Sequence, residues 1–278
     1  MKVKFLAAMT LAASLLLTGC GGGSDQPAQK ADDKSAAKEV TLKIGATPVP
    51  HAELLEEIKP DLKEKGITLE VIEFNDYVQP NIALNDKELD ANFFQHEPYL
   101  NDFIKEHKDV KLKNAGGVHI EPMGIYSNKI KDLKELADGA TVSIPNDPTN
   151  GGRALLLLQK AGLLKLKDGV NEMATVQDIA DNPKNLVIQE VEAAQLPRTL
   201  EDVDISIINT NFAMNADLNP MKDALFIEDK TSPYVNIIAV RDGDENREEI
   251  KTLLNTLKTD KVKKFIEEKY KGAIVPAF

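Results

Sequence analysis

Between residues 41 and 74 the chain reads as strand, helix, strand, and no other stretch limits the fold so sharply. Thr41–Gly45 (TLKIG) alternates in the manner of a strand. After the loop Ala46–Pro50, the segment His51–Lys65 carries Leu54, Leu55, Ile58 and Leu62 on one helical face. Ile67–Phe74 is the next strand. A strand-helix-strand run favours a parallel sheet, because the crossover returns the chain in the same direction.

The pattern continues with Asn75-Asp76-Tyr77, a helix over Tyr77–Leu84 with Pro80 in its first turn, and Leu89–Phe94. That stretch leads into Asp90–Asn101, DANFFQHEPYLN, where a strand over Ala91–Phe94 gives way at Gln95-His96-Glu97-Pro98 to a helix over Tyr99–Lys108. Proline is tolerated in a first turn, where its missing N–H has no intrahelical partner. Strand ends that face helix starts are where open α/β sheets bind ligands. The segment therefore reads as the wall of a small-molecule pocket, with Tyr77, Phe94 and His96 at neighbouring strand ends. On the residues alone, an equal alternative has one phenylalanine in the core and His96 as a helix cap.

Val110–Ile120 is a strand with a Gly116-Gly117 break, and Glu121–Ser127 marks a first change of lobe. The strand Ala140–Ile144 runs into a loop, Pro145–Arg153, that enters a helix over Ala154–Ala161. Glycines after a strand and free N–H groups at a helix start suit a carboxylate or phosphate, and Arg153 adds a charged fork. The spacing fits neither GxGxxG nor GxxxxGK[ST], so it does not indicate a nucleotide. The competing reading has Gly151 and Gly152 shape a turn while Arg153 pairs with a surface acid. VDISII (203–208) delivers Asn209-Thr210-Asn211, and YVNIIAV (234–240) is a buried strand with one amide, Asn236, that must find partners. Helices over Arg247–Thr256 and Asp260–Tyr270 close the chain. The expected architecture is α/β in two lobes, 39–121 plus 235–278 and 122–234, joined by two crossings with a cleft between them.

Ahead of this lies a different kind of sequence. Lys2 and Lys4 precede the apolar run Phe5–Leu17, which is too short to span and remain in a membrane, so residues 1–19 read as an export signal. Leu17-Thr18-Gly19-Cys20 resembles the lipobox of bacterial lipoproteins, which implies cleavage before Cys20 and lipidation of its thiol. Cys20 is the only cysteine, so no intrachain disulfide can form. Residues 20–38 have almost nothing to bury and read as a lipid-anchored flexible tether. Removing Lys2 and Lys4 with the signal takes the formal charge from −11 to −13, which argues against an anionic polymer such as nucleic acid as partner.

Several longer segments sharpen this picture: TPVPHAELLE (47–56), FNDYVQPN (74–81), DANFFQHEPYL (90–100), HIEPMGIYS (119–127), IPNDPTNGGRAL (144–155), NTNFA (209–213) and SPYVNIIAVR (232–241). In order and across the whole mature domain, they resemble the methionine-binding lipoproteins of bacterial ABC importers, the NlpA lipoprotein family. The resemblance implies a two-lobed periplasmic-binding-protein-like fold with an interlobe cleft. It implies capture of L-methionine or a close analogue for an ABC permease and its ATPase, by a monomer held through its lipid on the extracytoplasmic side of the cell membrane. By the same resemblance Tyr77, Phe94 and His96 line the thioether pocket, Arg153 holds the α-carboxylate, and Asn211 and Asn236 bond the amino-acid backbone atoms.

No catalytic set of nucleophile, base and orienting group is visible, and no cofactor is expected. His96-Glu97 and His119-Ile120-Glu121 could be imagined as metal ligands, but there is no HExxH, and zinc would leave Arg153 without a role. The alternatives to a methionine receptor are a receptor of the same fold for another small amino acid or short peptide, and a surface adhesin lipoprotein.

Overall fold

The computed structural model describes residues 39–278. The signal, Cys20 and the tether, residues 1–38, lie outside the described residues. In chain order the first run is β1 (Val40–Ala46), a turn at Pro48–Ala52, α1 (Glu53–Glu64), β2 (Ile67–Glu73), α2 (Gln79–Asn85), β3 (Ala91–His96), α3 (Glu97–Glu106) and β4 (Leu112–Ile120). Then come β5 (Gly124–Tyr126), β6 (Thr141–Pro145), α4 (Pro148–Lys160), β7 (Lys165–Leu166), β8 (Ile179–Asp181) and β9 (Val187–Val191). The same run continues through α5 (Leu196–Thr199), β10 (Ile205–Ile208), α6 (Thr210–Asn215), α7 (Pro220–Asp223) and β11 (Phe226–Ile227). The chain returns as β12 (Val235–Arg241), α8 (Glu248–Leu257), α9 (Asp260–Tyr270) and β13 (Val275–Pro276).

These strands form two main sheets. The first has the order β13-β4-β12-β3-β1-β2, the second β11-β5-β10-β6-β9. As the opening run predicts, β1 pairs in parallel with β2 and β3; β12 then lies antiparallel between β3 and β4. In the second sheet β10, β6 and β9 are parallel, with β5 antiparallel to β10.

Each sheet has its own core. Leu54, Leu55, Ile58 and Leu62 of α1 are fully buried with Leu42 and Ile44 of β1 and with Ile250 and Leu253 of α8. In the second core, Val142 and Ile144 of β6 meet Leu155 and Leu158 of α4 and Ile205 and Ile207 of β10. Each such side chain contributes about 1.5–3 kcal/mol of burial, enough for one apolar face to hold a helix that is otherwise polar.

The parallel strands β1 and β3 of one sheet and β6 and β10 of the other all end near one place. Beyond those ends lie Thr47 and His51, His96, Asp147 to Arg153, and Asn209 to Asn211. The register adds a row across three strands, His96–Asn236–His119, because Asn236 pairs with both histidines.

Candidate functional site

A cavity lies among these ends, lined by Tyr77, Phe94, Gln95, His96, Tyr99, Glu121, Asn150, Arg153, Asn209, Thr210, Asn211 and Asn236. It brings together every ligand-contact residue expected from the sequence.

One wall is aromatic. The Tyr77 ring lies 5.7 Å from those of Phe94 and Tyr99, and Phe212 closes its other face at 4.8 Å. Of the phenylalanine pair, Phe93 is fully buried in the first core while Phe94 reaches the cavity. His96 does both things the sequence allowed: it lines the cavity and caps α3, its Nδ1 accepting from the Tyr99 backbone N–H at 3.1 Å. The wall's donors are already committed, Tyr99 Oη to the Tyr77 carbonyl at 3.0 Å and Tyr77 Oη to Asn211 Oδ1 at 2.6 Å.

The polar side has a direction set by one carboxylate. Asp147 caps α4, accepting from the Asn150 backbone N–H at 2.9 Å and from Asn150 Nδ2 at 3.0 Å. A carboxylate can only accept here, so the Asn150 amide presents its oxygen to the site. That oxygen receives His96 Nε2–H at 3.0 Å and Asn209 Nδ2–H at 2.9 Å. His96 is thereby the Nε2–H tautomer. Burial, aided by the Arg153 charge, pushes its pKa down to about 3, so it is a neutral ring. Asn209 is left with Oδ1 toward the cavity, buried and without a partner among the described residues. The same logic orients two other amides. Asn211 accepts from Tyr77, and Asn236 Oδ1 accepts from His51 Nε2–H at 3.0 Å, so both leave their Nδ2 donors uncommitted.

Arg153 sits at the edge of this space. Its Nε and Nη2 donate to Glu228 at 3.1 and 2.5 Å, Nη2 also donates to the Glu121 carbonyl at 2.7 Å, and its guanidinium carbon lies 4.2 Å from the Tyr234 ring centroid. Nη1 makes no hydrogen bond among the described residues. Beneath it, Glu121 is buried, its Oε1 accepting from His119 Nε2–H at 2.8 Å and lying 3.2 Å from His51 Nε2. Thr47 Oγ1 at 2.7 Å occupies the other nitrogen of His51.

A family model described as NlpA lipoprotein matches residues 42–278. The methionine-binding lipoprotein MetQ of Bacillus subtilis is 45% identical over 280 residues, covering 99% of each chain. The D-methionine-binding lipoprotein MetQ of Escherichia coli K12 is 43% identical over 274 residues, covering 98% of this chain and 96% of that one. Among solved structures, a nutrient binding protein from Burkholderia cenocepacia bound to methionine superposes with a TM-score of 0.82 at 48% identity, covering 85% of this chain and all of that one. The chain belongs to the NlpA lipoprotein family.

As an NlpA lipoprotein it is a membrane-anchored, extracytoplasmic solute receptor of an ABC importer and not an enzyme. No helix among the described residues is long and apolar enough to cross a membrane.

One local expectation changes in this NlpA lipoprotein. Gly151, Gly152 and Arg153 stand inside α4, not in a loop before it, because Asp147 caps the helix and Pro148 opens it. The glycines serve close packing: a Cβ on Gly152 would lie 2.1 Å from the Glu172 carbonyl oxygen, and one on Gly151 would lie 2.9 Å from that of Pro145. The Asn150 N–H is spent on the cap, so the anion-binding capacity rests on Arg153 itself and not on the helix start. Tyr99, Asn150, Asn209 and Glu121 also line the site, although none of them was among the expected ligand contacts. Tyr99 had a readable signal, three places after His96 on a helix whose first turn faces the same strand end.

Proposed function

We propose that the cavity binds methionine as a zwitterion, which the receptor then delivers to its permease and ATPase. What carries this reading is the sorting of uncommitted polar atoms. Three donors, Arg153 Nη1, Asn211 Nδ2 and Asn236 Nδ2, stand with the acceptor Asn209 Oδ1 in one enclosed space, beside an aromatic wall whose own donors are all spent. Arg153 then takes the α-carboxylate, a charge-assisted bond stronger than a neutral one. Asn211 and Asn236, whose free ends are Nδ2 donors, bond the carboxylate oxygens that Arg153 leaves open, and Asn209 Oδ1 accepts from the ammonium group. Tyr77, Phe94 and His96, joined by Tyr99, surround the side chain. A thioether asks little of hydrogen-bond donors and gains about 0.3–1.5 kcal/mol for each contact with a ring. The ligands named for the Bacillus, Escherichia and Burkholderia relatives support the same choice.

Calorimetric titration of the ligand-stripped protein with the separate amino acids tests it. Methionine should bind saturably and more tightly than leucine by about tenfold or more, the scale set by one misplaced group in an apolar pocket. Equal affinity for the two would overturn the reading.

A further inference from the structure

Three buried ionisable side chains, Glu121, His51 and His119, fall outside the roles given so far. Building on methionine as ligand, we propose that Glu121 receives the ligand's ammonium group and that His51 and His119 are positioning residues that aim and charge its carboxylate.

The geometry carries the assignment. Glu121 lines the same cavity as Arg153, on the segment that crosses between the sheets. Arg153 Nη2 holds the Glu121 backbone carbonyl at 2.7 Å, which keeps a cation next to the residue that carries the carboxylate. An amino acid carries its two charges on a single carbon, so it requires such a spacing. Both histidines direct Nε2 at Oε1, while Oε2 makes no side-chain hydrogen bond among the described residues. The His51 ring cannot turn to offer a lone pair instead, because Thr47 Oγ1 and Asn236 Oδ1 fix its two nitrogens. Asn209 Oδ1 supplies a second acceptor without a partner in the same cavity.

The surroundings decide the charge. Glu121 faces His51 from the turn after β1, His119 from β4, Arg153 from α4 and the Asn211 backbone N–H from α6, with the Tyr77 and Tyr270 hydroxyls farther off. Burial pushes His51 down to about 4 and His119 to about 3, so both are neutral donors near neutral pH. Burial also raises the Glu121 carboxyl, opposed by Arg153. The His119 N–H, the Asn211 backbone N–H and the charge of Arg153 favour the anion, and an incoming ammonium adds the remaining counter-charge. The three side chains offer donor atoms within 4.8 Å of one another, as a divalent ion would need. Here, however, both Nε2 atoms carry hydrogens, spent by His119 on Glu121 Oε1 and by His51 on Asn236 Oδ1, so neither offers a lone pair to a metal, whereas the Glu121 carboxylate suits an organic cation.

The test compares methionine with 4-(methylthio)butanoate, which keeps the carboxylate and thioether but lacks the amine. Glu121→Gln, nearly isosteric, should weaken methionine by about 10- to 150-fold, the range of a hydrogen bond to a charged group. It should leave the desamino acid within about threefold. His119→Phe should raise the pH at which methionine affinity falls off on acidification by about one unit, because the carboxylate loses an N–H donor, while His119→Gln should restore part of the shift. Equal losses for both ligands, an unmoved pH profile in His119→Phe, or stoichiometric zinc binding abolished by Glu121→Gln would each overturn the assignment. Failure of the unsubstituted protein to bind methionine would strike the proposed function and this assignment together. Methionine binding left intact by Glu121→Gln would strike this assignment alone.

Discussion

Two clusters of buried amides border the same cavity and differ in one respect. Asn81, Asn92 and Gln95 close on themselves: Asn81 Oδ1 receives Asn92 Nδ2–H at 2.8 Å and Gln95 Nε2–H at 2.7 Å, Asn81 Nδ2 donates to Gln95 Oε1 at 3.0 Å, and Gln95 Nε2 also donates to Asn92 Oδ1 at 2.9 Å. Asn209, Asn211 and Asn236 are equally buried, yet each spends one end of its amide on the protein and keeps the other. Leaving a buried polar atom unpaired costs about 1–3 kcal/mol, so the open cluster is maintained at a cost that a ligand can offset. The closed cluster is construction, tying α2 to β3.

Acid should separate the two clusters most. The closed one holds no titratable group, whereas the open one rests on His51, His96 and His119, with pKa values depressed to about 4, 3 and 3. Between those values and the unfolded histidine value near 6.5 the unfolded chain binds more protons, so stability is full above that value and is lost as pH falls. Each ring contributes up to about 1.4 kcal/mol per pH unit in that window. Urea midpoints followed downward from neutral pH should therefore drop steeply, and His119→Gln should flatten the slope by about one ring's share. A slope unchanged by the substitution would mean that His119 is not buried neutral.

Arg153→Ala comes next. Breaking one side of an enclosed charge pair costs about 2–5 kcal/mol, or roughly 30-fold to several thousand-fold in methionine affinity. The decisive measurement is the preference for methionine over methioninol, which the variant should largely lose; full retention would remove Arg153 from the carboxylate.

Asn81→Ala, in the closed cluster, should lower unfolding stability by about 1–3 kcal/mol while changing methionine affinity less than about threefold. An affinity loss larger than the stability loss would erase the distinction between the clusters. Smallest is Tyr77→Phe, which frees Asn211 Oδ1 and lets that amide turn. Methionine binding should weaken by about 0.5–1.5 kcal/mol, read by calorimetry.

Much of this could be read from the chain because it is local. The strand-helix alternation places the parallel strands, and the QHEP junction puts His96 at a strand end. Glu121 and His51 could not be joined in that way, since 70 positions separate them and only the packing of the first turn against β4 brings them together. Asn209 was visible as one of three residues leaving a strand, but its orientation depends on Asp147 through Asn150, a chain of hydrogen bonds that no spacing encodes. Arg153 was found for its guanidinium and misplaced in its element, because two consecutive glycines read as a loop when their actual service is contact with the Glu172 and Pro145 carbonyls.

The aromatic wall has an optical consequence. The chain contains no tryptophan and five tyrosines, of which Tyr77 and Tyr99 line the cavity and Tyr234 lies under the Arg153 guanidinium. Three of the five tyrosines thus sit within or beside the binding space. A ligand settling against those rings changes the field and polarity that they sense, so occupancy can be followed in the unlabelled protein as a tyrosine difference spectrum, with Tyr126 and Tyr270 as the internal background.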